Sequence, residues 1–379
     1  MKRVVHIITR LEPGGSSENT VSSAAWQAGR GMEVTLVHGP GRGSLPVPVA
    51  VSTIELPELA REISPLRDLR AYAALRRIFR ELKPDIVHTH TSKAGFLGRL
   101  AAAGCGAKVV HTPHGHLLYG YYDIPGTRLF LAAEKFAARF TDGFIALTEG
   151  EKRESTAAGI GRPEQWAVVH GGVDLPESPA RVPRKELGVP EGRLVIGTAA
   201  RLEPVKGVEY FVKAAGALKK ILGPMNPFFL IVGDGAECSR LYGLARTAGI
   251  MDDCLFAGFQ KDVLPYLSVM DIYVQPSLNE AMGRTVLQAQ HMGLPVVASR
   301  VCGIPDVVRE GETAVLVKAG SPERIAAAVA RLARDGELRA AMGRAASAFA
   351  RERDAAGRAR FGCEAMNAAI LEFYGRLKG

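Results

Sequence analysis

The sequence has few cysteines and no long hydrophobic run, and both absences restrict what this chain of 379 residues can be. Its five cysteines include no C-x-x-C pair, and an odd number cannot all pair in disulfides. The composition therefore favours a reducing cytoplasm over a secreted disulfide scaffold. No stretch approaches the roughly 18 apolar residues of a membrane-spanning helix, and the apolar run at 4–8 is too short for a signal peptide. We expect a protein that is soluble or at most membrane-associated.

Two familiar phosphate-binding signatures are also missing from the sequence. One is the G-x-G-x-x-G turn of dinucleotide-binding folds, and the other is the D-x-D motif that holds a metal ion against a diphosphate. Histidines do concentrate in one region, at His88, His90, His111, His114 and His116. No carboxylate or cysteine completes a recognised metal-ligand spacing around them, so we predict no metal site.

Basic residues are unevenly distributed along the chain. Of the formal net charge of +9, residues 61–108 alone carry +6, because they contain ten basic and four acidic residues. Leu66 and Leu69 begin an apolar pattern of helical spacing there, with arginines on the opposite face. Those arginines are Arg70, Arg76, Arg77 and Arg80. Two interpretations stay open, a solvated helix face or a surface for an anionic membrane or a diphosphate-bearing acceptor. Nucleic acid is not expected, because no aromatic residues interleave with the charges.

The chain is long enough for two hydrophobic cores, and 47% of its residues are hydrophobic. Short apolar runs alternate with longer amphipathic stretches in both halves, which is typical of parallel sheets covered by helices. In the first half, strands are predicted at 4–8, 34–38, 86–90, 109–112, 144–146 and 168–170. In the second half, they are predicted at 194–198, 228–232, 255–257, 272–275, 296–299 and 314–317. The pattern predicts an α/β protein with two doubly wound domains.

A proline-rich stretch separates the two series of strands. We therefore place a Rossmann-like domain at 1–175, a linker at 176–193 and a second Rossmann-like domain at 194–353. A terminal helix at 354–379 is expected to pack back on the first domain.

Loops that leave the strands of a parallel sheet are where ligands bind, and two of these loops have phosphate-binding character. Gly14 and Gly15 follow the first strand and allow backbone N–H groups to approach a phosphate at a helix N-terminus. An ordinary tight turn is the alternative there. Arg201 and Lys206 flank a short turn before a helix in the second half, so two cations and a helix dipole can converge on one dianion. A solvated surface pair is the alternative for these two residues.

A third loop carries a specific resemblance to a known family. Residues 276–299 read PSLNEAMGRTVLQAQHMGLPVVAS, with an acid at Glu280, a glycine at Gly283 and a Gly-Leu-Pro-Val-Val-Ala-Ser ending. This stretch resembles the donor-binding signature of the family 4 retaining glycosyltransferases, which have the GT-B fold. The resemblance extends over nearly the whole chain through the Gly14-Gly15 loop, Arg201 with Lys206-Gly207, and the strand end Val232-Gly233-Asp234-Gly235.

The resemblance implies two facing Rossmann-like domains with parallel sheets and an interdomain cleft. The first domain would bind the acceptor and the second the nucleotide sugar. Arg201 and Lys206 would neutralise the donor diphosphate, while Glu280 would accept hydrogen bonds from the donor sugar. His114 would bond a sugar hydroxyl or support the developing positive charge. Further donor contacts are implied at Gly14, Gly15, Gly233, Gly283 and Arg284.

Two positions on the donor side need separate interpretation. The second acid of the family signature is replaced by Gln288, and the acid normally accepts hydrogen bonds from both ribose hydroxyls. An amide has one acceptor oxygen and no charge, so Gln288 would weaken donor binding by about 1–3 kcal/mol. Alternatively, Gln288 marks a different nucleotide or a member whose activity has declined. Gly258 and Phe259 follow a predicted strand and would border the base, although a buried aromatic without a ligand is the alternative.

The resulting hypothesis is a cytoplasmic, metal-independent, retaining glycosyltransferase that requires no cofactor. It would move a hexose-type sugar from a UDP-sugar, or a GDP-sugar, to a glycan or polyprenyl-diphosphate-linked acceptor in cell-surface polysaccharide or lipopolysaccharide synthesis. It would also contact the inner face of the cytoplasmic membrane peripherally. The alternatives are a nucleotide-sugar epimerase or sugar phosphorylase of the same architecture, a degenerate nucleotide-sugar-binding member, and a two-domain ligand-binding protein.

Overall fold

The computed structural model describes residues 2–41, 45–115, 118–120 and 123–377. Its chain forms two compact units. Unit 1 comprises residues 1–118, 122–172 and 361–379, and unit 2 comprises residues 119–121 and 173–360. Residues 176–193, which the sequence suggested as a linker, are thus grouped with unit 2.

Unit 1 is built on a parallel sheet whose strands run in the order β3-β2-β1-β4-β5-β6-β7. The strands are β1 (Arg3–Ile8), β2 (Glu33–His38), β3 (Ser52–Glu55), β4 (Ile86–His90), β5 (Lys108–Thr112), β6 (Gly143–Ala146) and β7 (Trp166–Val168). The helices between them are α1 (Gly15–Ala28), α2 (Pro65–Leu82), α3 (Ser92–Ala102), α4 (Ile124–Ala138) and α5 (Glu149–Ala157). The short edge strand β3 was not predicted, because most of its residues are exposed and its apolar pattern is weak.

Alternation along the strands gives the two faces of this sheet separate cores. Val5 and Ile7 of β1 pack with α2 and α3 on one face. The opposite face carries Val4, His6 and Ile8 of the same strand, and α1 covers part of it. A polar histidine therefore lies in the core on the side of α1.

Unit 2 has a second parallel sheet, in the order β10-β9-β8-β11-β12-β13. Its strands are β8 (Val195–Ala199), β9 (Phe228–Val232), β10 (Cys254–Phe256), β11 (Ile272–Gln275), β12 (Val296–Ser299) and β13 (Ala314–Val317). Its helices are α6 (Val208–Leu222), α7 (Cys238–Thr247), α8 (Leu264–Ser268), α9 (Arg284–His291), α10 (Pro322–Arg334) and α11 (Gly336–Ala350). The α/β class and the two parallel Rossmann-like sheets expected from the sequence are confirmed.

The last helix, α12 (Cys363–Arg376), belongs to unit 1. Its side chains Ile370, Phe373 and Tyr374 are buried against β1, β4 and β5 beside α1. The helix begins nine residues later than Asp354, where the sequence placed it. The difference arises because the Asp354 carboxylate accepts hydrogen bonds from Ala356 and Arg358 and holds a turn there.

The prediction of an apolar face on α2 is wrong for the first turns of the helix. Leu66 and Leu69 are 74% and 63% exposed, and the buried side of the helix is formed by residues further along. Those residues are Ala71, Leu75, Ile78 and Phe79. Arg70, Arg77 and Arg80 are exposed, as a basic helix surface requires, while Arg76 is half-buried and donates to the Tyr72 hydroxyl at 3.1 Å. Among the described residues, no helix combines the length and the hydropathy needed to cross a bilayer.

Candidate active site

In unit 2 the strand order reverses direction between β8 and β11, which pair with each other at the middle of the sheet. Connections from two such strands lead to opposite sides, so their loops leave a crevice at the carboxyl edge. The loop after β8 carries Arg201 and Lys206, and the loop after β11 carries Glu280. The sequence motifs singled out above thus converge on the position in this sheet where a ligand is expected.

Lys206 and Glu280 form an ion pair at this edge. The Lys206 ammonium lies 2.7 Å from Oε2 of Glu280, and both side chains are largely buried, with exposures of 15% and 14%. The two loops are held together by a hydrogen bond from the Leu278 amide to the Val205 carbonyl at 2.8 Å. A cation and a carboxylate are therefore presented side by side, which suits a diphosphate next to a hydroxylated sugar.

Gly207 makes the close approach of these loops possible. Its backbone has φ +63, and a Cβ atom on it would lie 2.2 Å from the Pro276 carbonyl oxygen. Any side chain would push the Lys206 turn away from the loop that carries Glu280. The glycine of the Lys206-Gly207 pair is thus required by packing.

A buried polar network lies beneath Glu280, and the sequence motifs did not reveal it. The Tyr273 and Thr285 hydroxyls donate to Oε1 of Gln275, whose amide group donates to the Ser277 hydroxyl at 2.8 Å. Ser277 in turn donates to Glu280 Oε2 at 3.1 Å. Burial raises the pKa of Tyr273, so its hydroxyl remains a donor. The network therefore holds the Glu280 carboxylate in place. The sequence signal for this network is a polar residue, Gln275, at the end of an apolar strand.

Arg201 is placed differently from Lys206. Its side chain is 56% exposed and pairs with Glu203 at 2.9 Å. The structure therefore joins Lys206 to Glu280 and leaves Arg201 at the surface of the same loop.

The other residues predicted for the donor lie on neighbouring loops of unit 2. The Gly233 amide, after β9, donates to the Gly258 carbonyl at 2.8 Å, and Phe259 beside it is 65% exposed rather than buried. Gly283 precedes α9. Arg284 and Gln288 are four residues apart on that helix and so share a face.

In unit 1 the reversal of strand order falls between β1 and β4. Gly14 ends the loop after β1 and Gly15 is the first residue of α1; the Gly14 carbonyl accepts from the Glu18 amide at 3.0 Å. His114 follows β5 and has the left-handed backbone φ of 58°. Its neighbour Gly115 donates to Oε1 of Glu151 at 2.7 Å. His116 lies outside the described residues.

Glu151 is a fully buried carboxyl group that the sequence motifs also missed. Its second oxygen accepts from the Leu147 amide at 2.7 Å, so the side chain ties the start of α5 to the loop that carries His114. Burial raises the pKa of Glu151 to about 7, although both backbone donors favour the ionised form.

Three buried histidines, His6, His88 and His90, bring ring nitrogens within 4.8 Å of one another in unit 1. Their nitrogens are used in hydrogen bonds. His6 bonds Gln27 and His90, and His88 bonds Tyr374 and Thr112 at 2.6 and 2.8 Å. A metal ion would need the same nitrogens. Beside His88, His90 and His114 lies a cavity of about 10 Å³, the size of one water molecule.

A broader groove of about 1020 Å³ lies along α10 and the start of α11, between Ile221, Arg331 and Glu337. None of the site residues described above lines it. The groove is away from the carboxyl ends of the strands, so the ion pair of Lys206 and Glu280 remains the candidate active site.

Comparison with known proteins gives matches to both units of the chain. Residues 181–349 match the family described as Glycosyl transferases group 1, and residues 14–172 match the Glycosyl transferase 4-like domain. The Escherichia coli UDP-Gal:alpha-D-GlcNAc-diphosphoundecaprenol alpha-1,3-galactosyltransferase is 31% identical over 296 residues, which are 76% of each chain. A D-inositol 3-phosphate glycosyltransferase of Actinosynnema mirum is 30% identical over 382 residues, covering 90% of this chain and 91% of that protein.

Solved structures share the fold. The Anabaena protein HepE, in complex with UDP and glucose, matches with a TM-score of 0.80 at 22% identity, over 99% of this chain and 100% of HepE. Sucrose-phosphate synthase from Thermosynechococcus elongatus matches with a TM-score of 0.84 at 21% identity, over 100% and 99% of the two chains. With the sequence matches above, these likenesses show that the chain belongs to the group 1, or family 4, glycosyltransferases of the GT-B fold.

Proposed function

We propose that this glycosyltransferase moves a hexose-type sugar from a UDP-sugar to a glycan or polyprenyl-diphosphate-linked acceptor, with retention and without a metal ion. The observation that carries the proposal is the pairing of Lys206 with Glu280 at the strand reversal of unit 2. A diphosphate bound there would replace the carboxylate as the partner of Lys206. Glu280 would then be available to accept hydrogen bonds from the sugar hydroxyls.

The proposed chemistry needs no protein nucleophile. The bond between the anomeric carbon and the diphosphate oxygen breaks, and Lys206 stabilises the negative charge that grows on the leaving group. Arg201 is exposed on the same loop and would turn from Glu203 to the diphosphate. The acceptor hydroxyl attacks on the face that the diphosphate leaves, and its proton passes to the departing diphosphate oxygen. Two side-chain cations in this position support charge neutralisation without a metal ion.

The identity of the donor and acceptor is proposed from similar proteins. HepE was solved with UDP and with UDP-glucose, and the name of the Escherichia coli relative specifies UDP-Gal and a diphosphoundecaprenol-linked acceptor. We extend the class, a UDP-sugar and a lipid-linked glycan, to this chain. Phe259 is exposed, and its ring would contact the base.

We also propose that the start of α2 contacts an anionic membrane. Ile63, Leu66 and Leu69 are 68%, 74% and 63% exposed, and Arg67 and Arg70 lie between and beside them, exposed as well. Apolar side chains among arginines suit insertion at the headgroup level of an anionic bilayer. Such a contact would bring a lipid-linked acceptor to unit 1 at the inner face of the cytoplasmic membrane.

The reaction is tested by incubating the protein with UDP-glucose or UDP-galactose in EDTA, with and without a polyprenyl-diphosphate-linked sugar. We expect free UDP to be released fastest with the acceptor present, and proton NMR of the product to show the donor's anomeric configuration. Conversion of the nucleotide sugar without UDP release would indicate an epimerase instead. Strict dependence on added magnesium would contradict the metal-independent mechanism.

A further inference from the structure

A continuous chain of hydrogen bonds runs through the core of unit 1 to His114. Nε2 of His6 lies 2.9 Å from Oε1 of Gln27, and Nδ1 of His6 lies 2.9 Å from Nε2 of His90. Nδ1 of His90 then lies 2.9 Å from Nε2 of His114. Gln27, His6 and His90 are buried, with exposures of 2% or less. Three imidazole rings are thus connected in series from α1 to the loop after β5.

The two inner rings are neutral. Burial lowers the pKa of His6 to about 4 and holds the pKa of His90 well below its ordinary value. A neutral imidazole has one N–H donor and one acceptor nitrogen, so each ring in the chain passes on the polarity that it receives.

The Gln27 oxygen sets the direction, because a carbonyl oxygen only accepts. His6 must donate from Nε2, which leaves its Nδ1 to accept from Nε2–H of His90. Nδ1 of His90 then accepts from Nε2–H of His114. Gln27 is itself a hydrogen-bond partner of the Tyr374 hydroxyl, which gives its amide group a second contact in the core.

We propose that Gln27, His6 and His90 are positioning residues that hold His114 with its proton on Nε2 and its Nδ1 as a hydrogen-bond acceptor. The contact of His114 with the donor sugar is implied by the family resemblance and rests on the proposed function. The chain places a proton on Nε2, so a neutral His114 would accept from a sugar hydroxyl through Nδ1. The peptide bond after His114 is anchored separately through Gly115 and Glu151. Ring and backbone are therefore fixed by two different sets of buried groups.

His88 provides the matched comparison in the same cluster. Its ring centroid is 4.2 Å from that of His90, but its nitrogens bond Tyr374 and Thr112 and take no part in the chain. Replacing His88 disturbs the same core without interrupting the path from Gln27 to His114.

Nitrogen NMR of wild-type protein with ¹⁵N-labelled histidine tests the chain without any measurement of activity. The expected result is a protonated Nε2 and an unprotonated Nδ1 on His6, His90 and His114, with scalar coupling across the two N–H···N bonds. A protonated Nδ1 on His6 or His90 would overturn the proposal. So would stoichiometric binding of Zn²⁺ by the chelator-treated protein with loss of these signals, because the nitrogens would then be metal ligands.

The variant Gln27→Met keeps the side-chain length and removes the accepting oxygen. The reversed chain then becomes competitive, because a buried N–H without an acceptor is costlier than an unfilled lone pair. We expect His90 and His114 each to show signals of two neutral tautomers, one with the proton on Nε2 and one with the proton on Nδ1. The variant His88→Asn should show no such change. Nucleotide-sugar binding should weaken roughly three- to tenfold while UDP binding changes by less than about twofold, as the loss of one hydrogen bond to the sugar requires.

Equal weakening of UDP and UDP-sugar binding in Gln27→Met would overturn the positioning role, as would unchanged histidine signals. If wild-type protein binds no nucleotide sugar, the proposed function fails while the NMR result for the chain still stands. The two failures are therefore distinguishable.

Discussion

At the scale of single residues, Gln288 is the position where this chain departs from the family signature. It lies on α9 one turn after Arg284, and its neutral amide has one acceptor oxygen. Gln288→Glu should bring the nucleotide an additional charged acceptor and tighten UDP binding by about 1 kcal/mol, or about fivefold. Calorimetric titration with UDP measures this change. Unchanged or weaker binding would mean that residue 288 does not contact the ribose.

Glu151 makes the stability of unit 1 depend on pH. Its pKa is about 7 in the folded chain and near 4.5 in the unfolded chain, so the folded state binds more protons between these values. The contribution of Glu151 to the free energy of unfolding is therefore full below about pH 4.5 and falls, by about 3 kcal/mol, as the pH rises through 7.

Urea denaturation at pH 5 and pH 8 checks this prediction. Wild-type protein should lose more stability between the two pH values than Glu151→Gln, whose amide does not titrate. Both proteins share every other titrating group, so an identical loss in the two would show that Glu151 does not titrate in this range.

At the scale of elements, the approach of the loops after β8 and β11 depends on Gly207. Gly207→Ala would place a Cβ atom 2.2 Å from the Pro276 oxygen and separate Lys206 from Glu280. Gly192 is a matched control, since it also has positive φ, at +72, but has no atom within 4 Å of a built Cβ. Gly192→Ala should cost about 1 kcal/mol of stability from backbone strain alone. Gly207→Ala should cost more stability than Gly192→Ala and should also weaken UDP binding. Thermal denaturation with and without UDP measures both effects. Equal effects of the two substitutions would contradict this role of Gly207.

We propose that the start of α2 contacts the membrane. Replacing Leu66 and Leu69 by serine should reduce co-sedimentation with anionic vesicles severalfold, because two exposed apolar side chains no longer enter the headgroup layer. Ile221→Ser is the control, since Ile221 is an exposed apolar residue of unit 2. Equal recovery of wild-type protein with neutral and anionic vesicles at low salt would exclude this surface.

The secondary-structure elements were predicted better than the hydrogen-bond partners of the site residues. Apart from the edge strand β3, the strands of both sheets correspond to apolar runs, and Lys206, Glu280 and Gly283 were identified from sequence motifs. The hydrogen-bond partners of the site residues were not predicted. Gln275 and Tyr273 are close to Glu280 in the sequence but lie in an apolar strand, where the pattern indicates only burial. His6 is 84 residues from His90 in the sequence, so only the fold brings these histidines together. The exposure of Leu66 also depends on where α2 contacts the sheet, which helical periodicity alone does not specify.

At the scale of the whole molecule, the two Rossmann-like units have different proposed tasks. Unit 2 contains the cation, the carboxylate and the helix α9 proposed for the nucleotide sugar. Unit 1 contains His114 with the buried residues that position it. It also contains the basic surface of α2, which is proposed for the acceptor side. The family is shown by sequence similarity over both units. The proposed UDP-sugar donor requires that Lys206 and Glu280 form a metal-independent site for a nucleoside diphosphate.

The most direct test is a thermal-shift panel of the purified protein with UDP, GDP and ADP in EDTA, using wild type, Lys206→Ala and Lys213→Ala. Lys213 is a surface lysine of α6 that is 45% exposed and pairs with Glu209. A nucleotide at 100 times its dissociation constant should stabilise the protein by about 2.7 kcal/mol. We expect a shift with UDP that is retained in Lys213→Ala and lost in Lys206→Ala. A shift that is equal in all three proteins, or that appears only with added magnesium, would contradict it.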